Sequence, residues 1–243
     1  GIYLEQSSID TDGGHILLKG DGSSNLWGIV TLGNNTISSS AGTIELVGIK
    51  SATTNDPGIL FGFHDGVVGA PAGNTTINSS ASGQAISISG SGTALGNGIA
   101  IDGTVTVEST GSGAIELLGT GGSSGYGIEV GNFFNGSNLG VYAASGDITL
   151  DGGTRGISVI QPGNTGSSPG DSELIIGQGG NISSSTSNVK LVGDVFSIST
   201  TNGLDVNTSG TATIEPYSAS FSSALSFPIA NVSLGTSITG LTL

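Results

Sequence analysis

The chain has 243 residues, 45 of them Gly, with 5% aromatic and 9% charged residues and neither Cys nor Met. Eighteen acidic residues stand against four basic ones, a formal net charge of −14, so the chain has too few cations to neutralise phosphates, which excludes nucleic acid and anionic headgroups as direct partners. Without Cys there are no disulfides, thiolate metal sites or Cys nucleophiles, and no run of about 18 apolar residues is present to cross a membrane as a helix.

Mean hydropathy is +0.22, and Ile, Leu and Val are frequent enough to supply a core. Along the chain three short segments recur in fixed order. Strand B is a Gly followed by Ile or Leu: GIYL at Gly1, GIVTL at Gly28, GILF at Gly58, GIAI at Gly98, GIEV at Gly127, GISV at Gly156 and GLDV at Gly203. The Gly is expected to supply a corner conformation with positive φ. Strand C carries Ile or Val among small polar residues: SIDT (8–11), TISSS (36–40), TINSS (76–80), TVEST (106–110), GVYAAS (140–145), NISSS (181–185) and TATIE (211–215). Its small residues Thr11, Ser39, Ser79, Ser109, Ala143 and Ser184 form a column suited to a narrow corner. Strand A is HILLKG (15–20), TIELVG (43–48), AISISG (85–90), AIELLG (114–119), DITLDG (147–152) and NVKLVG (188–193).

Alternation in strand A buries one face, through Ile16/Leu18, Ile44/Leu46, Ile86/Ile88, Ile115/Leu117, Ile148/Leu150 and Val189/Leu191. Three strands per turn of about 28 residues, with no helical period, specify a coil whose strands stack in parallel on the next coil. The predicted fold is all-β, a right-handed parallel β-helix (solenoid) of about seven three-stranded rungs; its hand is taken from the usual behaviour of such coils. An antiparallel β-sandwich also has short strands at regular intervals, but it does not demand three ladders of like residues in the order B, C, A. The repeats span residues 1–216. Residues 217–243 read as a continuing coil or partial cap. The opening Gly1-Ile2-Tyr3-Leu4 is neither a signal peptide nor an initiator Met, and the apolar end at Leu241-Thr242-Leu243 reads as part of a longer solenoid.

The phrases TISSSAGTIELVG (36–48), VESTGSGAIELLGTGGSSGYGIEV (107–130), ASGDITLDGGTRGI (144–157) and TSGTATIEPYSASF (208–221) resemble the bacterial β-strand-repeat proteins related to filamentous haemagglutinin. The resemblance implies an extracellular or bacterial cell-surface passenger, often an adhesin, exported by two-partner secretion through an outer-membrane β-barrel transporter. It transfers no catalytic residues, because the repeats are structural. The Asn-rich amino-terminal secretion domain of such proteins is not in this chain and is expected upstream.

Three rungs carry insertions between strands B and C, at 61–74, 131–140 and 160–180. Insertions at one corner project from one edge of a solenoid, where binding faces are commonly built. Phe63, His64, Asp65, Phe133, Phe134 and Asn135 therefore form the candidate binding edge, suited to stacking on a sugar ring or docking a host, neighbour-cell or glycan receptor. The bland alternative is that these aromatics pack over their own loops. Phe61 takes the inward position of its strand and is expected in the core.

A carbohydrate-active β-helix enzyme, glycosidase or lyase, would need paired carboxylates. The outward acids Asp10, Glu45, Glu108, Glu116, Glu129, Asp205 and Glu215 are instead expected to be dispersed over solvated faces. His15 and His64 lack a nucleophile signature, and GTGGSSGYG (119–127) reads as a corner, without the Lys of a phosphate loop. No cofactor is implied. DTDGG (10–14) and DGGT (151–154) read as turns, with weak Ca2+ binding the alternative. The expected function is a rigid, non-enzymatic spacer or adhesive segment, with a self-assembling fibre subunit stacking end to end as a further alternative.

Overall fold

The computed structural model describes residues 1–23, 27–51, 54–63, 73–131, 137–160, 172–199, 203–223, 232–235 and 240–242. Their strands form three sheets of seven, eight and eight strands, in which every neighbouring pair is parallel and comes from successive turns of the chain. This is a parallel β-helix.

The B sheet is built from Ile2–Glu5, Ile29–Leu32, Ile59–Phe63, Ile99–Ile101, Ile128–Val130, Ile157–Val159 and Phe196–Ile198. The C sheet runs through Ser8–Thr11, Asn35–Ser39, Asn74–Ser79, Thr104–Ser109, Asn138–Ala143, Glu173–Gly177, Leu204–Asn207 and Val232–Leu234. The A sheet contains Ile16–Gly22, Ile44–Lys50, Gln84–Ser91, Ala114–Thr120, Ile148–Asp151, Val189–Val192, Thr211–Glu215 and Gly240–Thr242. Val232–Leu234 and Gly240–Thr242 extend two of the three sheets beyond residue 216.

Like residues meet at each inward position. In the B sheet Ile29, Ile59, Ile99, Ile128 and Ile157 are in register and end on Phe196. In the A sheet Ile44, Ile86, Ile115, Ile148 and Val189 do the same. β-Branched side chains suit such a ladder because their stiff rotamers stack on a pleated surface at the inter-strand spacing of about 4.8 Å. The expected inward pairs of the A strands are all buried from Ile44 to Leu191, and only Leu18 in the first coil is half-exposed. Phe61 lies in the same core, 1% exposed.

Corner hydroxyls close the first four coils. Thr11, Ser39, Ser79, Ser109 and Ala143 are in register. Ser79 Oγ donates to Gly42 O at 2.8 Å and accepts from Ala81 N–H at 3.1 Å, while Ser39 Oγ donates to Gly14 O at 3.0 Å and accepts from Gly42 N–H at 2.8 Å. A small hydroxyl here satisfies two backbone groups that the tight bend takes out of the ladders.

Three expectations are corrected. The Gly before each of the first six B strands is required by crowding: a Cβ at Gly28 would lie 2.4 Å from Ile49 N, and one at Gly98 would lie 2.4 Å from Thr120 N. Of these six, Gly156 has a positive φ, at 71°. Beyond residue 160 the register also differs. Glu173–Gly177 is the sixth C strand and NISSS (181–185) lies in a connection; GLDV belongs to the C sheet and TATIE to the A sheet, with Phe196–Ile198 as the seventh B strand. The insertion assigned to 160–180 is therefore two, 160–172 between B and C and 178–188 between C and A. Finally, two acids expected on solvated faces, Glu108 and Glu129, are 2% and 8% exposed.

Candidate functional site

The B-to-C corner is short, residues 6–7, 33–34 and 102–103, in the first, second and fourth coils, and long in the third, fifth and sixth. The candidate edge residues belong to those long connections. Phe63 is the last residue of its strand and pairs with Leu32 after a register shift at Gly62, whose φ is 77°. His64, Asp65, Phe133, Phe134 and Asn135 lie outside the described residues.

The stems of these connections are stitched to one another. Glu173 N–H donates to Ser137 O at 2.9 Å, and Asn138 N–H to Gly103 O at 3.0 Å. Ser137 N–H donates to Ser172 Oγ at 3.3 Å, both serines being fully buried. A Cβ at Gly131 would lie 2.2 Å from Ile160 O. The coil thus launches two insertions from fixed, adjacent backbone positions.

Beside this corner lies a feature the sequence reading missed. The outward residues of the B sheet, Val30, Leu60 and Ala100, are buried, and with Trp27 against them they form a second, smaller apolar cluster. The signal was present: GIV, GIL and GIA are unbroken apolar runs, the pattern of strands covered on both faces. The next outward residue in register is Glu129, whose Oε1 accepts from Asn97 Nδ2 at 3.0 Å. Asn97 is held in turn by Tyr126 N–H, which donates to its Oδ1 at 2.7 Å. Burial pushes the Glu129 carboxyl up to about 7; the Asn97 bond opposes the shift and the nearby Asp102 charge adds to it.

Glu108, also buried, is covered by the connection after the sixth C strand. Asn181 donates from its backbone N–H to Oε2 at 2.9 Å and from Nδ2 to Oε1 at 3.0 Å. Burial also raises the Tyr142 hydroxyl, aided by the charges of Glu173 and Glu108.

Other singled-out residues have local roles. His15 Nδ1 accepts from Thr43 N–H at 3.2 Å and meets its hydroxyl at 2.6 Å. Asp10 accepts from Ser38 Oγ in the neighbouring coil, and Asp151 Oδ1 accepts from Gly153 N–H at 2.7 Å, closing the DGGT turn. Glu45 and Glu116 flank Ser87 in one outward column. Glu215 pairs with Lys190 at 2.6 Å, and Lys50, with a fully buried side chain, pairs with Asp56 at 3.4 Å. Among the described residues no three His, Asp or Glu side chains come together as a metal site, and no helix is long and apolar enough to cross a membrane.

No family model matches the chain, and neither the curated proteins nor the solved structures contain a match to it.

Proposed function

We propose that the chain is a rigid structural or adhesive segment of a bacterial surface or secreted protein, a spacer that carries a receptor-facing edge at its B-to-C corner. The observation that carries this reading is the unbroken set of inward ladders, in which each coil buries its neighbour's apolar face over three parallel sheets. Such a stack bends little, because flexing it would open backbone hydrogen bonds and packed side chains together. The filamentous haemagglutinin-like phrases support the extracellular setting, with a β-barrel transporter as export partner and a host, neighbour-cell or glycan receptor as target. Scanning calorimetry with limited proteolysis tests it: a cooperative transition and a protease-resistant core are expected, whereas a marginal, readily digested chain contradicts it.

A further inference from the structure

At the A-to-B corner a groove of about 300 Å3 runs between Asp151, Arg155 and Tyr217 over a floor of glycine backbone. Its size is at the small end of ligand sites, enough for one ring rather than an extended molecule. We propose that this groove binds a neutral pyranose unit of a saccharide, stacked on Tyr217 and hydrogen-bonded by Asp151 and Arg155.

The floor is bare for structural reasons. A Cβ at Gly121 would lie 2.3 Å from Gly125 O, and one at Gly152 would lie 2.2 Å from Gly156 O. The close packing of the corner therefore excludes side chains and lets a flat ligand approach the backbone.

Tyr217 forms the wall and is 56% exposed. Its position is fixed by the next residue: Ser218 donates from N–H to Asp194 Oδ1 at 2.7 Å and from Oγ to Oδ2 at 2.6 Å. Ser222 N–H also donates to Asp194 O at 2.8 Å. An exposed aromatic ring on a backbone anchored this way can offer its negative face to the C–H bonds of a sugar, with only the side chain left to order on binding.

The polar groups complement hydroxyls. Arg155 is oriented by its Nε, which donates to Gly125 O at 3.0 Å, and no carboxylate lies within ion-pair distance of it among the described residues. Its remaining N–H groups are donors. Asp151 accepts one backbone bond and, as a carboxylate, has lone pairs left to accept from a hydroxyl. One cation beside one carboxylate, on a chain of net charge −14, disfavours an anionic ligand and fits an uncharged one.

The inference is independent of the rod reading, which the calorimetric transition reports separately. The test is saturation-transfer NMR on the full chain with methyl glucoside, galactoside, mannoside and N-acetylglucosaminide, and with methyl glucuronide as the anionic control. We expect at least one neutral glycoside to bind at millimolar affinity, weakened about tenfold by Tyr217→Ala, retained in Tyr217→Phe and weakened severalfold by Arg155→Gln. The Tm of each variant is measured alongside; if Tyr217→Ala alters folding, Arg155→Gln carries the comparison. Transfer to none of the neutral glycosides, binding by the glucuronide alone, or undiminished binding in the folded variants overturns the proposal.

Discussion

The Glu108 carboxylate is held by Asn181, 73 residues further along the chain, through the backbone N–H and Nδ2 together. The contact folds the 178–188 connection back over the outward face of the C sheet, bringing Gly180 so close that a Cβ there would lie 2.6 Å from Glu108 Oε2. Removing Asn181 Nδ2 by Asn181→Ala leaves a buried carboxylate with one donor fewer, a cost of about 2 kcal/mol. Urea denaturation is expected to show a lower midpoint with an unchanged slope.

Glu129 makes stability depend on pH. Its carboxyl titrates near 7 when folded and near the ordinary 4.5 when unfolded, so the folded state holds the extra proton between these values. This contribution is fully present below pH 4.5 and is lost as pH rises to and through 7, amounting to roughly 3 kcal/mol. Glu129→Gln keeps the acceptor for Asn97 and removes the titration. Unfolding measured from pH 4 to pH 8.5 is expected to show the variant gaining on the parent as pH rises, with the difference levelling off at about pH 8.

Inward and outward positions of one strand should differ sharply. Ile88 is fully buried and Ser87, its neighbour, points outward. Ile88→Ala is expected to cost about 3 to 4 kcal/mol through lost burial and a residual cavity, and Ser87→Ala less than about 0.5 kcal/mol. Thermal unfolding of the two variants checks the alternation.

The corner hydroxyls supply a matching test. Ser79→Ala orphans Gly42 O and Ala81 N–H in a buried bend, at a cost of about 2 kcal/mol. Ser79→Thr retains the hydroxyl, and Thr11 already occupies the same column. Denaturant midpoints should therefore fall for Ala and recover most of the loss for Thr.

How much of this was legible depended on periodicity. From Gly1 to about residue 159 each B and A segment is marked by alternation and a recurring Gly, and each C segment by Ile or Val among small polar residues, and the observed strands fall where those marks are. In the later coils the marks mislead. ELIIG (173–177) lacks the small polar flanks that mark the other C strands and follows a long insertion, whereas NISSS repeats the look of TISSS without sitting in a ladder. TATIE alternates equally well in either sheet, so only its pairing with Val189–Val192 decides its place. Two-residue periodicity also gives no account of what covers an outward face, which is why the burial of Glu108 and Glu129 was missed. Lys50 was hidden for a related reason: its partner Asp56 lies in a connection, beyond the reach of strand patterns.

The stacked, stiff coil is most directly tested by distances along one outward column of the A sheet. Leu17, Glu45, Ser87, Glu116, Thr149, Lys190 and Thr213 are in successive register. The chain has no Cys, so pairs of introduced cysteines can be spin-labelled without background. Six ladder steps separate residues 17 and 213, about 29 Å between backbones, and four steps separate 45 and 190, about 19 Å. Electron–electron resonance on the two pairs should give narrow distributions differing by about 10 Å. Broad distributions, or separations that do not grow with the number of steps, would contradict a rigid parallel stack.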